Sequence, residues 1–527
     1  MTTWEEFKTI NHPRSGARDR VYSVHWNALL DHGLEKAATY VIRRTSSRYE
    51  AINGSTGKVD YSSDDLDDAS EVLGSVIEDA GLILFKEGTY KFGSSVAINK
   101  SGVMISGIAS GGDLYFTNDT TYHGQSDKMG TLIVADGINA FEIGESSFIQ
   151  GVGIENLFIS GVDSDAKQSD TTYSSGAGIK VWRVSLLRIR NVQVRHKEYG
   201  VVLDTTPLGS FSYDKVIDLP ILENIMLAYN VHGIYARGFV DQARFRNIAG
   251  YINQKNLLDM VLKYDNVIEN VWSNADAFQS STQDEAPIAV YSPSDVRLIN
   301  ISVYGAYGTT LCPVPLLYLA PQKSANGTEH YRGHFTLENL TLFETQSDAI
   351  RVPSGCYGII EISSLHAGSS GDEGYAGGAG TITGSVIENK SEDGVVIFVR
   401  GGYVKSGQSK RYWFNKIRHG RIEDVNNFNP YGVISNPFEN TENTVGLYDP
   451  SGTASATPNA NVDYEVVSTD VMITATGGSG VSITIKDVDG NTVASGLSSI
   501  SALYLPVGYK INFGSFSSAP SVTVAAV

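Results

Sequence analysis

The chain has 527 residues, 41% hydrophobic and 19% charged, a soluble folded composition long enough for several domains or one repeat array. A net charge of −18 argues against nucleic acid as a partner, because phosphate neutralisation needs clustered Lys and Arg; the acidity also disfavours anionic ligands, although ordinary surface charge accounts for it equally well. Cys312 and Cys356 alone make no disulfide scaffold, no apolar run is long enough for a membrane helix, and MTTWEEFKTI lacks an apolar signal core, so neither membrane insertion nor a signal peptide is expected.

Residues 1–60 are expected to form a small N-terminal mixed α/β region. VHWNALLDHGLEKA suits a helix with an apolar face through Trp26, Leu29, Leu30 and Leu34. ATYVIRRTSSRYEAINGSTGKVDY then reads as paired strands with turns at SSR and NGSTGK. SSDDLDDASEVLGSVIEDAG is the strongest helix signal. Ser62 or Ser63 is its expected cap, Asp64, Asp65, Asp67 and Asp68 lie near its positive end, and Leu66, Ala69, Val72, Leu73, Val76, Ile77 and Ala80 share a face. A strand GLILFKEGTYKF follows, then SVAI and VMISG.

From about residue 140, short strands alternate with turns. IENLFIS, IRNVQVR, LENIMLA, FRNIAGY, IENVWSN, LINISVY and LENLTLF each hold a central asparagine: Asn156, Asn191, Asn224, Asn247, Asn270, Asn300 and Asn339. Asn is a poor strand residue but tolerates the left-handed backbone region, so one such residue turns a chain sharply between two strands. Coils stacked in register place these amides above one another, where each can bond the next. The alternation that follows puts Ile225, Leu227, Ile248, Val271, Ile301, Val303, Leu340 and Leu342 inside. The preceding residues Glu155, Arg190, Glu223, Arg246, Glu269, Ile299 and Glu338 should form an outer column of alternating charge. The expected fold is an all-β, right-handed parallel β-helix over residues 61–440 with an N-terminal cap helix. An antiparallel sandwich array is the competitor, and it would lack the Asn column.

The cap helix, GLILFKEGTYKF with Gly88, Thr89 and Tyr90, and SVAINKSGVMISG resemble the start of pectate-lyase-like β-helix proteins, especially bacteriophage tailspikes. The resemblance spans roughly residues 55–430. It implies a homotrimer on a virion, with tail or baseplate proteins as further partners and a cell-surface polysaccharide as ligand. It also implies extracellular placement after release by lysis. TASATPNANVDYE reads as a polar linker. The remainder of residues 441–527 reads as a compact β-sandwich module, similar to small C-terminal domains of viral receptor-binding proteins. A calcium loop at DVDGN has too few following ligands. DSDAKQSD at 163–170 lacks the glycine and terminal Glu of such a loop, so no metal and no cofactor are expected.

Outward positions after each Asn carry Phe158 and Trp272 and, two residues on, Tyr251, Tyr304 and Phe343. Exposed aromatics at regular spacing stack on sugar rings, but a trimer interface or scattered exposure fits as well. Tyr251, Trp272, Tyr304, Tyr307 and Phe343 are the candidate substrate contacts. Two loops after the same strand concentrate carboxylates: NADAFQSSTQDEAP with Asp276, Asp284 and Glu285, and FETQSDA with Glu344 and Asp348. Loops two coils apart hold acids roughly 9–10 Å from each other before loop bending. That slightly favours the spacing of an inverting glycosidase over a retaining one. These five are the candidate catalytic acids of a glycan hydrolase. A polysaccharide lyase would need a base and a cation, for which His232, Arg237 and Lys263 are the candidates; an Asp204–Arg237 ladder is the plainer reading. A non-catalytic adhesin or structural fibre on the same scaffold remains the other class.

Overall fold

The computed structural model describes residues 38–108, 130–162, 172–282, 284–307, 310–322, 333–368, 382, 385–391, 395–404, 410–415, 444–445, 453–456, 458, 460–461, 463–466, 471–506 and 508–526. The expected helix at 24–37 and the acidic DSDAKQSD segment lie outside them.

Tyr40–Arg44, Tyr49–Asn53 and Val59–Ser63 form the expected antiparallel ribbon, and Tyr40–Arg44 also pairs in parallel with Leu82–Phe85. The cap helix is shorter than expected, spanning Ser70–Ile77. Ser63 ends a strand instead of capping it, and Asp68 Oδ1 accepts from the Ser70 N–H at 2.9 Å. The apolar face is as expected: Ala69, Val72, Leu73, Val76, Ile77 and Ala80 are buried and Leu66 packs against them. GLILFKEGTYKF is two strands, Leu82–Phe85 and Gly88–Lys91, because the chain turns a corner between them.

The body is the right-handed parallel β-helix expected from the repeat. Each full coil contributes to a long first sheet and to a second sheet, and four coils add a short third one. First-sheet strands include Arg188–Arg195, Ile221–Ala228, Arg244–Tyr251, Asn266–Asn274, Asp295–Tyr304, Gly333–Phe343 and Gly358–Gly368, all paired in parallel. Second-sheet strands include Lys197–Asp204, His232–Arg237, Asn256–Val261, Ile288–Ser292, Leu317–Pro321, Ile350–Val352 and Ser385–Asn389, also parallel. Alternate residues point inward and stack on their equivalents one coil away. All eight side chains expected inside are buried.

The seven asparagines sit at one corner with φ between 52° and 58°. Each amide donates to the Oδ1 of the Asn one coil earlier at 2.8–3.0 Å, from Asn191 to Asn339. Asn156 donates to Ser106 Oγ instead, at 3.1 Å. Ser364, φ 61°, takes the corner position beyond Asn339. The ladder runs along the outer edge of the solenoid, where most of the seven side chains are exposed, so no buried amide demands it. The outer charge column forms in part: Arg190 pairs with Glu223 at 2.8 Å and Arg246 with Glu269 at 2.5 Å.

Two further corners also use the left-handed region, one through His196, Tyr229, Ile252 and Ala275, the other through Leu186, Leu219 and Gln242. Apart from His196, none of these types favours that conformation, and Ile252 is β-branched. The stacked neighbours impose it.

The C-terminal module is a sandwich of two four-stranded antiparallel sheets around Ile473, Ile483, Ile485, Ile511, Phe513 and Val522. Part of the expected linker belongs to it, since Thr453–Ala456 and Asp463–Glu465 are strands. In the DVDGN turn, Asp487 Oδ1 accepts from the backbone N–H groups of Asp489 and Asn491.

Candidate functional site

The five candidate acids separate by depth. Asp276 is fully buried. Its Oδ1 accepts from the Asn253 backbone and side-chain amides, both at 2.8 Å, and its Oδ2 from Ser273 Oγ at 2.6 Å. Asn253 Oδ1 in turn accepts from the Asn230 amide at 3.1 Å, and Asn230 Oδ1 from the Lys197 backbone at 3.0 Å. Asp276 therefore ends a second, internal ladder and cannot meet a polymer. Burial pushes its carboxyl up to about 7 against the pull of those donors. Gly250 leaves the space, since a Cβ there would lie 2.3 Å from Asp276 Oδ2. Glu344 is also buried, at a corner with φ 70°.

Asp284, Glu285 and Asp348 reach one face, the outer side of the second sheet. Asp284 and Glu285 precede the strand Ile288–Ser292, and Asp348 precedes Ile350–Val352, with the strand Leu317–Pro321 between them. Asp284 is exposed. Burial would raise the Glu285 carboxyl, but hydrogen bonds from Lys255, its ion-pair partner at 2.7 Å, and from the Ser281 N–H hold it below its ordinary range. Asp348 is buried and bound by Arg351.

Arg351 also lies 2.7 Å from Glu388 Oε2, on the next coil. Burial pushes Glu388 up to about 7, and the hydrogen-bonded Asp348 carboxyl adds to the rise. Two adjacent carboxyls in a part-buried site share a proton more readily than both ionise. Glu388 was missed in the sequence because a long insertion separates it from Asp348; only the coil register brings SVIEN beside AIRV.

Four of the five candidate aromatics, Tyr251, Trp272, Tyr304 and Phe343, lie on the first sheet instead. Tyr251, Trp272 and Tyr304 point outward from the first sheet and are half-buried. Phe343 is 1% exposed and packed edge-on between Tyr304 and His366, so it cannot stack on a sugar. Tyr307 lies at the edge of the described residues, in a two-residue strand with Ala306.

The face that carries the acids has its own aromatics, unnoticed in the sequence: Tyr199, Tyr235, Tyr291 and Tyr318, all half-buried. Tyr199 stacks on His232 at 5.0 Å, and Tyr291 and Tyr318 are 5.7 Å apart. Burial raises the Tyr291 and Tyr318 phenols, so both stay protonated donors. Both rings feel the Asp284 charge, and Tyr318 also feels Arg351. Arg237 lies over Tyr235 at 4.2 Å and pairs with Asp259 at 2.6 Å. The Asp204–Arg237 ladder is thus in register without being the ion pair. Lys263 is absent from this face: its backbone pairs in parallel with that of Asp241, at the third sheet. His232 begins a strand and does not sit in a turn, with Nδ1 2.9 Å from Asn256 Oδ1. Among the described residues, no group of three His, Cys, Asp or Glu side chains is placed to hold a metal.

No protein-family profile matches the chain, and no curated protein does. Similar solved structures include the catalytic unit of a thermostable GH87 alpha-1,3-glucanase from Streptomyces thermodiastaticus, at 10% identity, covering 68% of this chain and 66% of that one, with TM-score 0.38. DFA-IIIase from Arthrobacter chlorophenolicus in complex with DFA-III matches at 12% identity over 79% of this chain and 92% of that one, with TM-score 0.34. The tailspike protein gp49 from Acinetobacter baumannii bacteriophage Fri1, a capsular polysaccharide depolymerase, matches at 12% identity over 88% of this chain and 83% of that one, with TM-score 0.32. The chain spans just under two thirds of the glucanase catalytic unit. Identities and TM-scores are low throughout, and the residues of the second sheet carry the functional reading.

Proposed function

We propose that this chain is a virion receptor-binding protein of the tailspike kind that holds a cell-surface polysaccharide against the outer face of its second sheet and hydrolyses it. The carrying observation is the Asp348–Glu388 carboxyl pair, with Glu388 pushed up to about 7. A glycosidase needs one carboxyl that keeps its proton at neutral pH and one that stays ionised. Glu388 takes the first role and gives its proton to the glycosidic oxygen as the C–O bond breaks. Asp348, paired with Arg351, is the second carboxyl. Asp284 lies three coils from Glu388, about 14 Å by coil spacing and beyond the about 6.5–9.5 Å of an inverting pair, so Asp348, one coil from Glu388, is the partner carboxylate. One coil, about 4.8 Å, is nearer the about 5–5.5 Å of a retaining pair, in which Asp348 attacks the anomeric carbon as the bond to the leaving oxygen breaks and water then displaces it. Tyr291 and Tyr318, on the two preceding coils, supply ring faces and phenol donors for the sugar. The homotrimer, the virion location and the tail partners rest on the sequence resemblance, and mass photometry tests the first.

A non-catalytic adhesin is the second reading. Its support is that Arg351 contacts both Asp348 and Glu388, as a structural ion-pair cluster would. Incubation with a panel of bacterial surface polysaccharides separates the readings. New reducing ends without absorbance at the unsaturated-uronate band support hydrolysis. Both signals together mark a lyase, and neither, with binding retained, marks the adhesin.

A further inference from the structure

From His232 to Lys390 the cations on the second-sheet face are already matched. Arg237 pairs with Asp259, Lys255 with Glu285, Arg351 with Asp348 and Glu388, and Lys390 with Glu388 at 3.3 Å. Among the described residues of this face from His232 to Lys390 no cation lacks a carboxylate; Lys180, four coils before Tyr291, lies over the Trp182 ring at 4.1 Å. Acceptors are in surplus. Asp284 is exposed at the edge, and Asp259, 8% exposed between Tyr235 and Ala289 in register, has an Oδ1 that is buried without a hydrogen-bond partner. A buried carboxylate oxygen without a donor is costly, and a ligand O–H or N–H relieves it. A uronate, sialate, sulfate or phosphate group would bring more negative charge to the coils around Tyr291 and Tyr318, whose cations are already paired.

We propose that the polysaccharide bound on this face is non-acidic, built of neutral hexoses and amino or N-acetylamino sugars, and that Asp259 Oδ1 accepts a hydrogen bond from one of its hydroxyl or amino groups. This rests on the glycan-binding reading above and narrows it. Arg237, bound to Asp259 Oδ2, holds that carboxylate in place, and the Tyr235 ring below Arg237 fixes the pair. The site therefore accepts hydrogen bonds and selects donor-rich ligands.

The test is an array of immobilised capsular and O-antigen polysaccharides of known composition, grouped as neutral, amino-sugar and acid-bearing, probed with the full chain at physiological salt. Retention confined to the first two groups is the expected result. Retention of acid-bearing polymers with equal affinity overturns the inference while leaving the glycan-binding reading standing. No retention by any polymer overturns that reading and the inference with it. Asp259→Asn, which releases Arg237, should weaken retention of the non-acidic ligand at least fivefold and raise low-salt retention of polygalacturonate. Glu285→Gln, which releases Lys255 nearer the surface, should give the second effect even if Asp259→Asn folds poorly. Unchanged binding in both variants contradicts the role given to these pairs.

Discussion

The Asn247 side-chain amide donates to Asn224 Oδ1 at 2.8 Å across 23 residues of sequence. With φ at 54°, the same residue also makes the corner that brings the two coils into register. The two roles separate by substitution. Asn247→Gly keeps the corner and loses the amide, which also accepts from the Asn270 amide at 3.0 Å, and should cost about 1–3 kcal/mol, the worth of two net hydrogen bonds. Asn247→Ala loses both and should cost roughly 1–2 kcal/mol more, from the left-handed backbone of a residue with a Cβ. Urea unfolding midpoints in the order wild type, Gly, Ala check this, and equal midpoints would contradict it.

Asp276→Asn should leave glycan cleavage intact, because the side chain is sealed inside the solenoid. It should also change how stability depends on pH. The folded carboxyl, at about 7, lies above its unfolded value of about 4. The folded state therefore binds the extra proton, and wild-type stability is lost as pH rises through that window. The amide has no such loss. The stability of Asp276→Asn relative to wild type should be greater at pH 8 than at pH 4, as measured by chemical unfolding at both; a pH-independent difference would contradict the burial argument.

Lys197 is fully buried, and its Nζ has acceptors at Ala135 O, Ile138 O, Ser174 Oγ and Ser175 O, all within 3.1 Å. Burial brings its ammonium down to about 8. Lys197→Met fills the volume but strands these oxygens, at about 1–3 kcal/mol for each group left unmet. Soluble yield and urea midpoint should both fall, whereas surface Lys180→Met should leave them near wild type.

Glu388→Gln should lower polysaccharide hydrolysis by roughly 10²–10⁴-fold with binding retained, as expected for loss of a general acid. In the wild type, the rate should fall as pH rises through about 7, where Glu388 gives up its proton. A rate that persists above that pH, or an active Glu388→Gln, would remove this residue from the chemistry.

The fold was legible because one corner uses a residue type with a reason to be there. Asn stands out in a strand, and its recurrence at Asn224, Asn247 and Asn270 marks the coil length. The other corners were invisible: Leu219, Tyr229 and Ile252 carry no left-handed preference, and the stack imposes their conformation. The site was half legible. The acidic loops were visible as clusters, but loop composition does not tell depth, and Asp276 and Glu344 turn inward while Asp284 stays at the surface. The tyrosines of the second sheet lie one per strand or fewer, too sparse to form a pattern before the register is known.

An oligosaccharide-bound structure tests the central claim most directly. The account predicts the chain of sugars on the outer face of the second sheet, across Tyr291 and Tyr318, with a glycosidic oxygen within hydrogen-bond reach of Glu388. Sugars bound instead along Tyr251, Trp272 and Tyr304 on the first sheet, with the second-sheet face empty, would contradict it.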